Sequence, residues 1–256
     1  MTVRYDVAVG RATITIDDPE RRNPMSVQTM GMLLARTEEA MADPEVRAVV
    51  YTGAGEKAFC AGGDLSGSFV DDPVGLHRGR GDIALLFRSM MRGGKPTIAR
   101  VNGDALAGGF GLAVACDITI CVDDARLGTP EVKVGLWPMM ISAVLARAMP
   151  RKAALELMLT GRIITPEEAL RLGAVSRVVA RADLDVAVDA VVDAVMAVSP
   201  ATLMMGKDSF NAMADAGLDA AFDRLQGGLT EVALTDDARE GVTAFIDKRD
   251  PDWSGS

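Results

Sequence analysis

The stretch Arg100-Val-Asn-Gly-Asp-Ala-Leu-Ala-Gly-Gly-Phe-Gly-Leu-Ala-Val-Ala-Cys-Asp117 decides how the rest of the chain is read. The apolar run Thr97–Val101 leading into it has the composition of a buried strand, which Asn102-Gly103 breaks. Ala107, Gly108, Gly109 and Gly111 then pass with almost no side chain, and 112–116 is apolar enough to begin a buried helix. A strand, a bare turn and a helix N-terminus leave backbone N–H groups unpaired at the positive end of a helix dipole. Such a place suits a negative oxygen. The same glycines equally serve tight helix–strand packing.

A second turn of this kind lies upstream. Arg47-Ala-Val-Val-Tyr-Thr52 reads as a strand, and Gly53-Ala-Gly-Glu-Lys-Ala-Phe-Cys-Ala-Gly-Gly-Asp-Leu65 follows it. Two strand-to-glycine turns can each aim one N–H at a single carbonyl oxygen. Loss of one such donor costs roughly 2.7–4 kcal/mol of transition-state stabilisation. Gly53-Ala-Gly-Glu-Lys-Ala58 also copies a dinucleotide-binding fingerprint. That fingerprint must open a helix, however, and Phe59-Cys-Ala-Gly-Gly63 breaks one at once.

Four segments in order carry a resemblance. They are Lys57-Ala-Phe-Cys-Ala-Gly-Gly-Asp-Leu65, Lys95-Pro96, the stretch from Val101 to Asp117, and Thr129-Pro-Glu-Val-Lys-Val-Gly135. Together with Gly241-Val-Thr-Ala-Phe-Ile-Asp-Lys-Arg249 they resemble the enoyl-CoA hydratase/isomerase (crotonase) family over nearly the whole chain. The resemblance implies an α/β fold, a crotonase-like spiral of ββα units with a C-terminal helical region. A shift in composition after about residue 197 divides the chain into a core at 1–197 with an acyl-CoA site and a helical oligomerisation region at 198–256, packing on the core or on a neighbouring subunit. A homotrimer or dimer of trimers is implied as well.

The site implied by the resemblance places a thioester oxygen between the N–H groups of Gly63 and Gly108, with Glu131 as the base. Family hydratases use a second glutamate from the helix after the central turn, where this chain has Gly111. A lone carboxylate takes a proton from one carbon and returns it to another, so isomerase-type proton transfer through an enolate is expected. Partial burial should lift the Glu131 pKa toward neutrality, as a general base requires. The alternatives are an enoyl-CoA hydratase whose water is held by other groups and, in another class, a non-catalytic acyl-CoA-binding protein. Coenzyme A enters as part of the substrate, with no separate cofactor. Ala58, Ala61, Asp64 and Leu65 match the segment that lines its nucleotide and pantetheine arm. Lys57 is assigned to a phosphate, as is Lys248 from a neighbouring subunit, and Phe245 to the adenine end. Residues 66–90 and 136–145 are expected to form the acyl pocket, with Gly111, Trp137, Met139 and Met140 in its wall. Asp117 is expected to fix local structure.

Composition narrows the partners. The 256 residues are 49% hydrophobic and 25% charged, enough for a large core, and the net charge of −9 disfavours nucleic acid. Three cysteines cannot all pair, which suits reduced thiols in a cytoplasm. Cys60 reads as a small buried residue, because the single histidine, His77, lies in a polar segment far from it. Scattered Cys and His give no metal-ligand spacing. No apolar run reaches the ~18–20 residues that cross a bilayer, and the N-terminus alternates like a strand, unlike a signal peptide.

Local patterns predict a hairpin over 3–16, a helix from the Ser26 cap to about residue 41, and strands at 46–52, 118–122 and 175–179. A polar loop is expected over 66–82, followed by a short helix at 83–91. Further helices follow Pro138, Pro150, Thr165 and Ser199, and others span 217–234 and 236–248.

Overall fold

The computed structural model describes residues 2–65 and 73–256. Strand β1 (Thr2–Ala8) and β2 (Arg11–Asp17) form the expected hairpin, and β2 then pairs in parallel with β3 (Ala48–Gly53). The sheet continues in parallel through β5 (Thr97–Val101), β7 (Ile118–Val122) and β10 (Arg177–Val179). All six residues of β3 are buried, which explains its unbroken apolar reading.

A second, smaller sheet is built from β4 (Ala58–Cys60), β6 (Asp104–Leu106), β8 (Leu127–Gly128) and β9 (Ile163–Ile164), in that order. Each of β3, β5 and β7 in the large sheet is followed directly by a strand of the small one. Each pair then leads to a helix: α2 (Pro73–Arg92), α3 (Gly108–Ala115) and, after a 3-10 turn at Pro130–Val134, α4 (Met139–Ala148). This is the ββα spiral, repeated three times with no repeat in the sequence to advertise it.

Between β2 and β3 runs α1 (Val27–Ala42), capped by Ser26 Oγ accepting from the Thr29 N–H at 3.1 Å. After α4 come α5 (Arg151–Thr160) and α6 (Pro166–Arg171). Helix α7 (Leu184–Met196) then crosses back over the large sheet. Three helices close the chain: α8 (Pro200–Met213), α9 (Leu218–Ala233) and α10 (Asp236–Asp247).

Several boundaries differ from expectation. The loop expected at 66–82 falls partly outside the described residues, at 66–72; from Pro73 onward it is helix, continuous with the segment expected at 83–91. The glycines there misled because they do not loosen the chain. A methyl placed on Gly79 would lie 2.2 Å from Cγ1 of Val27, so this glycine lets α2 cross close over α1. Helix α3 starts at Gly108 itself, within the turn, ahead of the expected apolar run at 112–116. Helix α7 was not anticipated at all.

Polar groups lock these pieces together. Asn102 donates to Gly53 O at 2.8 Å and Gly55 O at 2.6 Å, and accepts from the Gly53 N–H at 3.2 Å. It thereby ties the central turn to the upstream one. Lys207 on α8 donates to Met90 O, Lys95 O and Asp117 Oδ2 at 2.6, 2.8 and 2.7 Å. Asp117 also accepts from the N–H and hydroxyl of Thr97, a structural role as expected. Among the described residues, no single helix is long and apolar enough to cross a membrane.

Candidate active site

Three parallel strands of the small sheet end side by side, and each is followed within three residues by a residue of the expected site. After β4 comes Gly63, after β6 Gly108, and after β8 Glu131. Register carries them together: Leu106 pairs with Gly128, and the Ala107 N–H donates to Gly128 O at 2.8 Å.

The two glycine turns press on each other. A methyl on Gly62 would meet Ala107 Cβ at 2.7 Å, and one on Gly109 would meet Cys60 O at 2.2 Å. Only bare backbone permits that approach. Gly63 and Gly108 each directly follow one member of the touching Gly62–Ala107 pair. Ala107 adopts φ +51 and ψ −128, a conformation L residues avoid, so the turn that presents Gly108 is strained. The Gly108 N–H is one of the first N–H groups of α3, which has no side-chain cap, and the helix dipole adds positive potential there. The Gly63 N–H has no acceptor among the described residues. Together these donors suit an oxygen on which negative charge develops.

Cys60, beneath this turn, is fully buried. Burial pushes its thiol up to about 12, against the opposing effect of the Gly62 N–H. His77 is exposed on α2. A thiolate nucleophile therefore has no support here.

Glu131 sits in the first turn of the 3-10 segment, behind Pro130 and the buried Thr129. Its Oε2 is buried with no hydrogen-bond partner among the described residues, and so is Thr129 Oγ1. Desolvation raises the Glu131 pKa, with a hydrogen bond from its own backbone N–H opposing. A half-buried carboxyl with one unsatisfied oxygen is equipped to exchange a proton with a bound molecule.

One turn into α3, Gly111 offers no room for a side chain. A methyl there would lie 2.0 Å from Ile141 Cγ2 and 3.6 Å from Phe87 Cζ. Ile141 is 3% exposed, so a buried aliphatic group fills the space beside position 111. Helices α2 and α4 thus both reach Gly111, within the two segments expected to shape the acyl pocket. Trp137 is half-buried, whereas Met139 and Met140 at the head of α4 are exposed.

The expected coenzyme-binding residues fall into two groups. Lys57 and Leu65 are exposed, Ala61 and Asp64 half-buried, and Ala58 buried with its carbonyl accepting from Asn23 Nδ2 at 2.8 Å. Asp64 Oδ2 accepts from Arg21 at 2.6 Å. Phe245 and Lys248 are exposed, on α10 and at its C-terminus. Sequence reasoning did not single out Met25, Asn23, Thr129 or Ile141. Asn23, which the structure buries at φ +54, is marked in the sequence only as an Asn directly before Pro24.

Comparison with known proteins identifies the family. A profile described as enoyl-CoA hydratase/isomerase matches residues 7–256. The chain belongs to the enoyl-CoA hydratase/isomerase family. A Thermus thermophilus protein carrying the provisional name enoyl-CoA hydratase is 39% identical, covering 94% of this chain and 96% of its own. The carnitinyl-CoA dehydratase of Escherichia coli K12 is 34% identical, covering 94% of each chain. The crystal structure of an enoyl-CoA hydratase from Mycobacterium smegmatis superposes with a TM-score of 0.93 at 32% identity, over 98% of both chains. The family's crotonase fold is therefore the fold of this chain, and the protein is an enzyme of this acyl-CoA-processing family.

Proposed function

We propose that this enzyme moves a proton between carbons of an enoyl-CoA, with Glu131 as its single acid–base group. The observation that carries the reading is the pairing of Gly111 with Ile141, which leaves no place for a second carboxylate in the first turn of α3. The thioester oxygen binds between the Gly63 and Gly108 N–H groups. Glu131 takes a proton from the carbon next to the carbonyl, and the electron pair left behind spreads onto that oxygen. The protonated carboxyl then returns the proton two carbons further along, and the double bond shifts by one position. Neither step needs water, a metal or a redox cofactor to balance. The test is Glu131→Gln, assayed for both double-bond shift and hydration. Loss of the shift supports the reading, and wild-type rates in both assays overturn it.

Water addition or removal is the second reading. The two relatives' names, enoyl-CoA hydratase and carnitinyl-CoA dehydratase, favour it, and the unpartnered Thr129 hydroxyl near Glu131 could hold the water. A 3-hydroxyacyl product from the wild-type enzyme, formed faster than the shifted alkene, would select this reading. A chain that bound acyl-CoA but turned over no member of an enoyl-CoA panel would instead be a binding protein.

The coenzyme arm is assigned to Lys57, Ala58, Ala61, Asp64 and Leu65, with Phe245 and Lys248 contributed from a neighbouring copy. Exposed Phe210, Phe222, Leu229 and Leu234 on the C-terminal helices, beside Phe245 and Ile246, support self-association into a trimer or dimer of trimers. Light scattering of the purified protein tests that. Three free, buried cysteines suit a cytoplasmic location.

A further inference from the structure

Met25 touches both donor turns. Its backbone grips the first one: the Met25 N–H donates to Gly62 O at 2.7 Å, and Met25 O accepts from the Asp64 N–H at 3.0 Å. This is an isolated parallel bridge between Met25 and Gly63. In such a bridge the bonds are made by the residues flanking Gly63, so Gly63's own N–H points to the opposite side. The Met25 side chain reaches the second turn. A methyl on Gly108 would come within 2.6 Å of Met25 Cε, and the residue is 2% exposed.

We propose that Met25 is a positioning residue that sets the separation and aim of the Gly63 and Gly108 N–H groups. The inference rests on those groups holding the thioester oxygen, as proposed above. A methionine suits the task because its unbranched chain threads between backbones and ends in a soft, compact methyl. A leucine at the same place is shorter and forked, and an alanine leaves the Gly108 side of the gap unfilled. The anchor itself is rigid: Asn23, two residues earlier, is fully buried and bonded to Ala54 O and Ala58 O at 3.0 and 2.8 Å.

The test reads the carbonyl directly. Infrared difference spectra of a bound acyl-CoA labelled with 13C at the thioester carbonyl report how strongly that oxygen is polarised. An S-alkyl-CoA thioether, which lacks the thioester carbonyl, reports binding alone. In Met25→Ala the carbonyl red shift should fall by about half or more while thioether affinity stays within about two-fold. The rate constant kcat should drop about 10–100-fold, with KM moving far less. Met25→Leu, close in volume, should fold normally and lie between the two. An unchanged red shift and near-wild-type kcat in both variants would overturn the inference. Absence of any red shift in the wild-type enzyme would instead remove the reading on which it rests.

Discussion

Ile141 Cγ2 stands 2.0 Å from where the first side-chain carbon of any residue at position 111 would be, so Gly111 and Ile141 form one unit. Neither can change alone. Gly111→Ala should destabilise the protein by about 1–3 kcal/mol through overpacking, and Gly111→Glu by more, since it also buries a carboxyl. Pairing Gly111→Glu with Ile141→Ala makes room. The double variant should regain much of the lost stability and acquire hydration of a 2-enoyl-CoA that the wild type lacks or performs slowly. Thermal melts and product analysis check both halves. A double variant no more stable than Gly111→Glu alone would show that Ile141 is not the obstacle.

The half-buried carboxyl of Glu131 fixes the sign of two pH effects. Desolvation raises its pKa above the usual 4.5. As a base it must be ionised, so kcat/KM should rise with pH through that raised value and level off above it, and Glu131→Gln should remove the rise. Stability runs the other way. The neutral form is favoured in the folded state, so its contribution is whole below 4.5 and is lost as pH climbs through the folded value. Glu131→Gln should therefore melt higher than wild type at pH 7–8, and the gap should close on acidification toward the ordinary glutamate range. A gap that widened in acid would contradict the burial argument.

What the sequence makes legible follows how local the cause is. The cap at Ser26, the breaks at Asn102-Gly103 and Pro150, and the buried strands β3, β5 and β7 are properties of short segments, and they stand as read. Gly79 reads as loop because its reason, the Val27 side chain, lies 52 positions away across a helix crossing. The contacts of Ile141 with Gly111 and of Met25 with Gly108 also join residues far apart in the chain, and no period points to them. Helix α7 did carry a signal: Leu184, Val188, Val191 and Val192 are buried at helical spacing. For Gly63, Gly108 and Glu131, local pattern supplied the turns alone. Their place at neighbouring strand ends comes from the register of the small sheet.

Strain at Ala107 gives a stability prediction that opposes activity. Its backbone, at φ +51 and ψ −128, costs about 1–3 kcal/mol for a residue bearing a Cβ. Glycine would release that strain while adding roughly 0.5–1 kcal/mol of entropy cost. Ala107→Gly should thus leave stability unchanged or raise it by up to about 2 kcal/mol. It should also loosen the turn that presents the Gly108 N–H and lower kcat. Denaturant melts and kcat measured on one preparation test the pair of effects, and a large loss of stability would refute the strain argument.

Lys207 shows how the C-terminal helices are fastened to the core. Its ammonium, on a side chain only 9% exposed, meets two carbonyls and Asp117 within 2.8 Å. The carbonyls belong to Met90, near the end of α2, and Lys95, just before β5. Asp117 in turn fixes the start of β5 through Thr97, whose N–H and hydroxyl it accepts. Lys207→Met keeps the apolar stem but leaves the carboxylate and both carbonyls short of a donor. It should cost about 2–4 kcal/mol. Lys207→Met/Asp117→Asn removes the uncompensated charge and should recover part of that loss. Because neither residue touches the turns at Gly63 and Gly108, kcat of the folded Lys207→Met enzyme should stay near wild type. Urea melts of the wild type and both variants measure the coupling, and additive losses in the double variant would show that the pair does not act together.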